Sequence, residues 1–111
     1  MKIAVCDDEN VQLELIERYC RKWMEISGES CSIYRFKSAE EFLFKYEEIK
    51  DYDVLFLDIQ MKGISGMELA KTLRNLGENM IIVFITADRG YVFEGYEVQA
   101  LDYILKYLYK I

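Results

Sequence analysis

Five short apolar runs alternate along this chain with longer segments in which apolar residues recur at helical spacing. The runs predict β-strands at 2–6, 31–36, 53–58, 80–86 and 100–105. Strands that alternate with helices pair in parallel, because each helix returns the chain to the end of the sheet where the previous strand began. The third and fourth runs are almost continuously apolar, so helices must cover both faces of the sheet. We therefore predict a doubly wound α/β fold, with a flavodoxin-like five-stranded parallel sheet in the order 2-1-3-4-5.

The segments between the runs carry start and stop signals for helices. Asn10 is a plausible N-cap for a first helix that Gly28 ends, and Ser38 with Glu41 three residues later forms a capping box for the second. A third helix follows a glycine-containing loop after the third strand, and a weaker pattern predicts a fourth over 90–98. One helix thus connects each strand to the next.

The size and charge of the chain limit what it can be. Its 111 residues suffice for one compact domain, and its net charge of −6 argues against nucleic-acid binding by this chain itself. Every apolar run is far shorter than the roughly 20 residues of a membrane span. Acidic residues also occur too early in MKIAVCDDEN for a signal peptide. We expect a cytoplasmic protein with no membrane partner.

Residue types that are scarce or absent exclude several kinds of chemistry. Cys6, Cys20 and Cys31 show neither disulfide-framework nor zinc-site spacing, so we expect free thiols. The chain contains no histidine, which excludes acid–base and nucleophile chemistry built on that residue. Any chemistry must therefore use carboxylates, hydroxyls and lysines.

Polar side chains stand where the predicted strands end. Asp7 and Asp8 follow the first strand, Asp58 ends the third, Thr86 ends the fourth and Lys106 follows the fifth. The carboxyl ends of parallel strands share one edge of the sheet, where such folds bind ligands. Each residue taken singly also has an ordinary structural explanation. The acid pair could lie in a solvated loop, and Asp58 could be the N-cap of a turn. Thr86 could be a strand residue without a further role, and Lys106 could lie on the surface. Their joint position at one edge favours a functional site.

Three acids at one edge repel one another unless a cation lies between them. Mg²⁺ suits the set best, because it prefers carboxylate oxygens and because the chain lacks the residue spacing of a calcium loop. A carboxylate beside Mg²⁺, an ammonium and a hydroxyl is equipped to accept a phosphoryl group. Asp58 would attack, Lys106 and the cation would neutralise the phosphoryl oxygens, and Thr86 would hydrogen-bond one of them. No general base is needed, because Asp58 is ionised at neutral pH.

At these positions the sequence resembles the receiver domain of two-component response regulators, over essentially its whole length. VCDDE resembles the first acidic pair of that family, and LFLDIQMKGISGMEL resembles its phosphoacceptor strand and loop. VFITA is similar to its switch strand, and ALDYILK to its final strand with the lysine. The resemblance implies a signalling switch rather than an enzyme, with Asp58 as the phosphoacceptor that participates in its own phosphorylation and dephosphorylation.

The resemblance also implies roles for the neighbouring residues. Asp8 would bind Mg²⁺ directly and Asp7 would assist, often through water, while Asp58 and the backbone carbonyl of Gln60 complete the protein ligands. With Lys106 at the phosphoryl group, Thr86 would move toward that group and Tyr103 would follow it inward as the switch aromatic.

Two partners follow from the same resemblance. A sensor histidine kinase would supply the phosphoryl group, and the surface of the fourth helix and fifth strand would change shape for the output. The segment GYEVQALDYILK is similar to receivers that precede a LytTR-type DNA-binding domain. We therefore expect DNA binding, and control of transcription, through a C-terminal domain that is not in this chain.

The sequence departs from the family pattern in three ways. Lys62 and Tyr107 stand where the family usually has proline. Because a non-proline cis bond costs about 2.5–4 kcal/mol, we expect the Lys106–Tyr107 bond to be trans or strained, which bears on how far Lys106 reaches. The chain stops five residues after Lys106, so we expect residues 1–111 to be a receiver domain truncated before or within its fifth helix. The apolar face left open beside the first helix would favour a homodimer or a swapped oligomer.

Two other functions stay open at this point. A pseudo-receiver would share the fold and bind partners without being phosphorylated. A magnesium-dependent phosphatase of the haloacid dehalogenase type also uses an aspartate at a strand end, but it needs a second acid two residues later, where this chain has Gln60. We expect Gln60 instead to tune how easily water reaches the acyl phosphate, as Asp88, two residues after Thr86, also would.

Overall fold

The computed structural model describes residues 1–106. Its parallel sheet has the strand order β2-β1-β3-β4-β5, which confirms the predicted flavodoxin-like order. The strands are β1 (Lys2–Cys6), β2 (Ser32–Phe36), β3 (Val54–Leu57), β4 (Ile81–Thr86) and β5 (Asp102–Leu105). The helices are α1 (Asn10–Ser27), α2 (Ala39–Tyr46), α3 (Gly66–Asn75) and α4 (Val92–Glu97).

Side chains of β1 alternate between two apolar clusters, one on each face of the sheet. Ala4 and Cys6 belong to the larger cluster, which also contains the buried sides of α2 and α3. Ile3 and Val5 belong to the smaller cluster, which contains the buried side of α1. Since successive residues of a strand point to opposite faces, helices cover both faces as the sequence predicted.

The helix ends follow the predicted signals with one exception. Ser38 accepts a hydrogen bond from the backbone N–H of Glu41 at 3.0 Å, and Gly28 ends α1 in the left-handed conformation with φ 76°. The predicted N-cap of α1 is wrong by one residue, since Glu9 and not Asn10 occupies that position. The side chain of Glu9 makes no capping hydrogen bond, so no capping signal marked it in the sequence.

An apolar groove of about 390 Å³ runs beside α1 on the face of the smaller cluster. Its lining residues are Met1, Ile3, Ile16, Tyr19, Cys20, Trp23, Val54, Phe56, Ile85 and Ile104. Tyr19 and Trp23 are exposed over 57% and 42% of their surface. This is the face on which we predicted self-association, and that association stays a prediction.

Two sequence predictions fall outside the described residues. They are the geometry of the Lys106–Tyr107 bond and the truncation of a fifth helix. Residues 1–106 contain no cis peptide bond. In the same range no helix combines the length and the hydropathy that crossing a membrane requires.

Candidate functional site

The backbone hydrogen bonds between neighbouring strands continue just past the strand ends, and they place the site residues along one edge of the sheet. The N–H of Asp7 donates to Phe36 at 3.0 Å, and that of Asp58 donates to Cys6 at 3.0 Å. The N–H of Lys106 donates to the carbonyl of Thr86 at 2.8 Å. Because these bonds are part of the sheet, the side chains that follow the strands are held by the fold rather than by a free loop.

The side chain of Lys106 lies at the centre of this edge. Its Nζ is 2.9 Å from Asp7 Oδ2, 3.0 Å from Glu9 Oε1 and 3.2 Å from Asp58 Oδ2. The side chains of Lys106, Asp7 and Asp58 are only 3%, 1% and 4% exposed. One ammonium thus pairs with three carboxylates, two of them buried.

Burial and charge shift the pKa values of these groups. Burial raises the pKa of Asp7 to about 6, although the backbone amide of Glu9 and the ammonium of Lys106 act in the opposite direction. Burial also raises the pKa of Asp58, against the lowering effects of Lys106 and of a hydrogen bond from Thr86. For Lys106, burial acts to lower the pKa, but its hydrogen bond to Asp7 and the charges of Asp58 and Asp7 prevail and raise it. The site therefore holds more negative charge than one ammonium neutralises.

The oxygen donors at this edge suit a small divalent cation. One carboxylate oxygen from each of four residues lies within 4.8 Å of the others, and these residues are Asp7, Asp8, Glu9 and Asp58. Apart from its contact with the Lys106 ammonium, the buried Asp7 Oδ2 has no hydrogen-bond partner among the described residues. Carboxylate oxygens are the ligands that Mg²⁺ prefers. The set therefore fits Mg²⁺, which would take up the excess negative charge.

Gly66 allows the end of β3 and the start of α3 to approach each other closely. A Cβ atom at this position would collide with the backbone carbonyl oxygen of Asp58. The N–H of Gly66 donates to the carbonyl of Ile59 at 2.8 Å, and Ser65 caps α3 by accepting from the N–H of Glu68. The loop after Asp58 is thereby folded back against the site.

A second set of contacts joins the loops that follow β3 and β4. The side chain of Gln60 donates to Asp88 Oδ2 at 2.7 Å, and the N–H of Asp88 donates to Thr86 Oγ1 at 3.3 Å. Tyr103 is half buried, its ring centre lies 5.8 Å from that of Phe84, and its hydroxyl donates to the backbone carbonyl of Asp88. Asp88 therefore connects the buried Thr86 to Tyr103 on one side and to Gln60 on the other.

The structure brings the predicted strand-end residues together. Asp7, Asp8 and Asp58 share one cluster, and Lys106 touches two of them. The metal-ligand role of the Gln60 carbonyl stays a prediction. Sequence reasoning missed Glu9, although it directly follows the acid pair. Its contact with Lys106 spans 97 positions, and only the folded sheet brings those positions together.

A parallel sheet that gathers acids, a threonine and a lysine at its carboxyl edge defines a flavodoxin-like domain with an acidic pocket. The chain belongs to the response regulator receiver domain family, whose model matches residues 3–110. It is thus a module of two-component signalling, and receiver domains are signalling modules rather than enzymes in the usual sense.

Relatives and solved structures agree with this family. The chain is 38% identical over 110 residues to the sensory transduction protein LytT of Bacillus anthracis, a match over 96% of this chain and 41% of that protein. It is 29% identical over 111 residues to the transcriptional regulatory protein NatR of Bacillus subtilis, covering 98% of this chain and 45% of that protein. The response regulator TrrA of Thermotoga maritima, solved in complex with Mg²⁺ and BeF, is 32% identical with a TM-score of 0.75 and matches over 95% of this chain and 85% of its own. The chain spans less than half of the length of LytT and NatR.

Proposed function

We propose that this receiver domain is a phosphorylation-activated switch, in which Asp58 accepts a phosphoryl group from a sensor histidine kinase with Mg²⁺ bound. The observation that carries the proposal is the position of Asp58. Its carboxylate is buried at the end of β3, 3.2 Å from the Lys106 ammonium and within the acidic cluster. A buried carboxylate with an ammonium at hydrogen-bond distance has both the nucleophile and a positive charge for phosphoryl transfer.

The transfer step needs no general base from this chain. A carboxylate oxygen of Asp58 forms a bond to phosphorus while the bond from phosphorus to the donor's imidazole nitrogen breaks. The electron pair of the broken bond leaves with the imidazole. When bound, Mg²⁺ supplies positive charge to the phosphoryl oxygens. Lys106 supplies the second positive charge from its present position.

The contacts of Thr86 and Tyr103 suit a route from the phosphoryl group to the surface. The hydroxyl of Thr86 is buried, donates a hydrogen bond to Asp58 and accepts a long one from the N–H of Asp88, at 3.3 Å. After phosphorylation, a phosphoryl oxygen on Asp58 would replace the carboxylate oxygen as the charged acceptor for this hydroxyl, at a position farther from the end of β3. Movement of Thr86 toward it would alter the Asp88 contact and with it the hydroxyl contact of Tyr103. Tyr103 would then move inward as the switch aromatic.

The surface next to Tyr103 suits an output role. Tyr96 and Leu101 line a groove together with Tyr103 and are exposed over 76% and 72% of their surface, and exposed apolar surface of this kind can bind protein partners. In the complete protein we propose that this change controls a C-terminal DNA-binding domain of the LytTR type. The similarity to LytT, a sensory transduction protein, and to NatR, a transcriptional regulatory protein, supports this output, because both proteins extend well beyond the matched region.

Binding of a phosphoryl mimic tests the site directly. We expect the thermal midpoint Tm to rise when beryllofluoride and Mg²⁺ are added together, and to rise less with Mg²⁺ alone, because the mimic occupies the phosphoryl position on Asp58. Asp58→Asn should lose the response to beryllofluoride, and Asp53→Asn, an exposed acid just before β3, should keep it. A folded wild type that shows no response to the pair would contradict the proposal and favour a pseudo-receiver.

A further inference from the structure

Glu9 occupies the N-cap of α1 without capping the helix. Short polar side chains are preferred at that position, because they accept hydrogen bonds from the first helical turn. The side chain of Glu9 makes no such bond. Its Oε1 instead lies 3.0 Å from the Nζ of Lys106. The side chain is therefore directed to the site at the sheet edge and away from its own helix.

The three carboxylates that hold Lys106 differ in their surroundings. Asp7 and Asp58 are 1% and 4% exposed, whereas Glu9 is 50% exposed at the rim of the site. A cation would engage Asp8 and Asp58 with the help of Asp7, and a phosphoryl group would be attached to Asp58. Mg²⁺ keeps several waters and takes few carboxylates, so it does not need a fourth one, and Glu9 can keep its contact with the ammonium.

We propose that Glu9 is a positioning residue, which holds the Lys106 ammonium beside Asp58 when a cation engages Asp8 and Asp58 with the help of Asp7. This inference rests on the proposed function of the site. Without Glu9, a cation that drew the oxygens of Asp7 and Asp58 away from Lys106 would leave the flexible lysine side chain without a fixed partner. The lysine would then occupy the phosphoryl position for a smaller fraction of time.

The rate constant for phosphorylation by acetyl phosphate with saturating Mg²⁺ tests this role. We expect Glu9→Gln to lower it by about three- to tenfold, which lies in the lower part of the range of couplings between residues of one ion-pair network. Glu14→Gln removes the same charge from an exposed position on the same helix and should leave the rate unchanged. In a Lys106→Met background, Glu9→Gln should have no further effect, because its role acts through the lysine.

A measurement that does not depend on phosphorylation accompanies the rates. The ¹⁵N signal of the Lys106 ammonium, assigned by its loss in Lys106→Met, should persist with Mg²⁺ in the wild type and disappear through solvent exchange in Glu9→Gln. A rate for Glu9→Gln equal to that for Glu14→Gln, or an undiminished effect in the Lys106→Met background, would overturn the positioning role. If the wild type accepts no phosphoryl group, the proposed function fails, while the ammonium signal still decides whether Glu9 holds Lys106.

Discussion

Asp7 is a buried acid whose charge is costly to the fold when no cation is bound. Burial raises its pKa from the ordinary 3.8 to about 6, and a rise of that size corresponds to on the order of 2 to 3 kcal/mol against the charged form. We predict that Asp7→Asn raises the Tm of the cation-free protein at neutral pH by several degrees and reduces the further rise that Mg²⁺ gives the wild type. Thermal unfolding followed by circular dichroism, with and without Mg²⁺, measures both effects.

The exposed neighbour Asp8 provides the matched control for this prediction. Asp8→Asn should leave the cation-free Tm nearly unchanged, because a solvated carboxylate has little desolvation cost, and should still weaken the Mg²⁺ response. A lower Tm for cation-free Asp7→Asn than for the wild type would show that the ion pair with Lys106 outweighs the cost of burial.

The hydrogen bond from Gln60 to Asp88, at 2.7 Å, joins the loops that follow β3 and β4. We predict that Gln60→Ala shortens the lifetime of the phosphorylated protein by about two- to tenfold, because it removes a side chain that limits the approach of water. The decay of phosphorylated mass with time measures this lifetime. Lys62→Ala, at an exposed position in the same loop, is the control. An unchanged or longer lifetime in Gln60→Ala would rule out the shielding role.

At the scale of elements, the junction between β3 and α3 depends on a glycine. A Cβ atom at Gly66 would meet the backbone carbonyl oxygen of Asp58, so Gly66→Ala must push the helix away from the strand end. We predict a loss of about 1–3 kcal/mol in the free energy of unfolding, together with slower phosphorylation. Urea unfolding measures the first and intact mass the second.

Gly95→Ala is the control for that change. A Cβ atom at Gly95 in α4 would find its nearest neighbour at 3.5 Å, an ordinary contact. Because alanine is the better helix former, this variant should be neutral or more stable by up to about 1 kcal/mol. Equal losses in the free energy of unfolding for Gly66→Ala and Gly95→Ala would mean that the close approach of the backbone at Gly66 does not cause the destabilisation.

The elements also show what the sequence could and could not predict. The order of the strands follows from their alternation with helices, and Asp7, Asp58 and Lys106 meet because parallel strands end at one edge. The contact of Glu9 with Lys106 could not be predicted in the same way. It depends on the rotamer of the Glu9 side chain, which points away from its own helix, and no local sequence pattern predicts that rotamer. The hydrogen bond from Gln60 to Asp88 is a side-chain contact between two loops, and it could not be predicted from the sequence for the same reason.

For the whole molecule, the groove beside α1 is the feature that bears on assembly. It is lined by apolar side chains, and Trp23 at its rim is 42% exposed. We predict that the 111-residue chain self-associates as its concentration rises, because burying this surface removes apolar area from water. Sedimentation velocity over a range of concentrations measures the association.

Substitution at the rim of the groove tests whether that face is the contact. Trp23→Gln should shift the sedimentation profile toward monomer. Phe93→Gln, an equally drastic change at an 84% exposed aromatic of α4, should leave the profile unchanged. A profile that shows only monomer at high concentration would contradict self-association, and an effect confined to Phe93→Gln would place the contact on α4 instead.

Whether Asp58 accepts a phosphoryl group in a reaction that depends on Mg²⁺ is measured by the intact mass of the protein. The wild type and Asp58→Asn are incubated with acetyl phosphate, each with Mg²⁺ and with a chelator. We predict a single added phosphoryl group on the wild type, only when Mg²⁺ is present, and none on Asp58→Asn. A folded wild type that gains no mass, or an adduct that persists in Asp58→Asn, would contradict it.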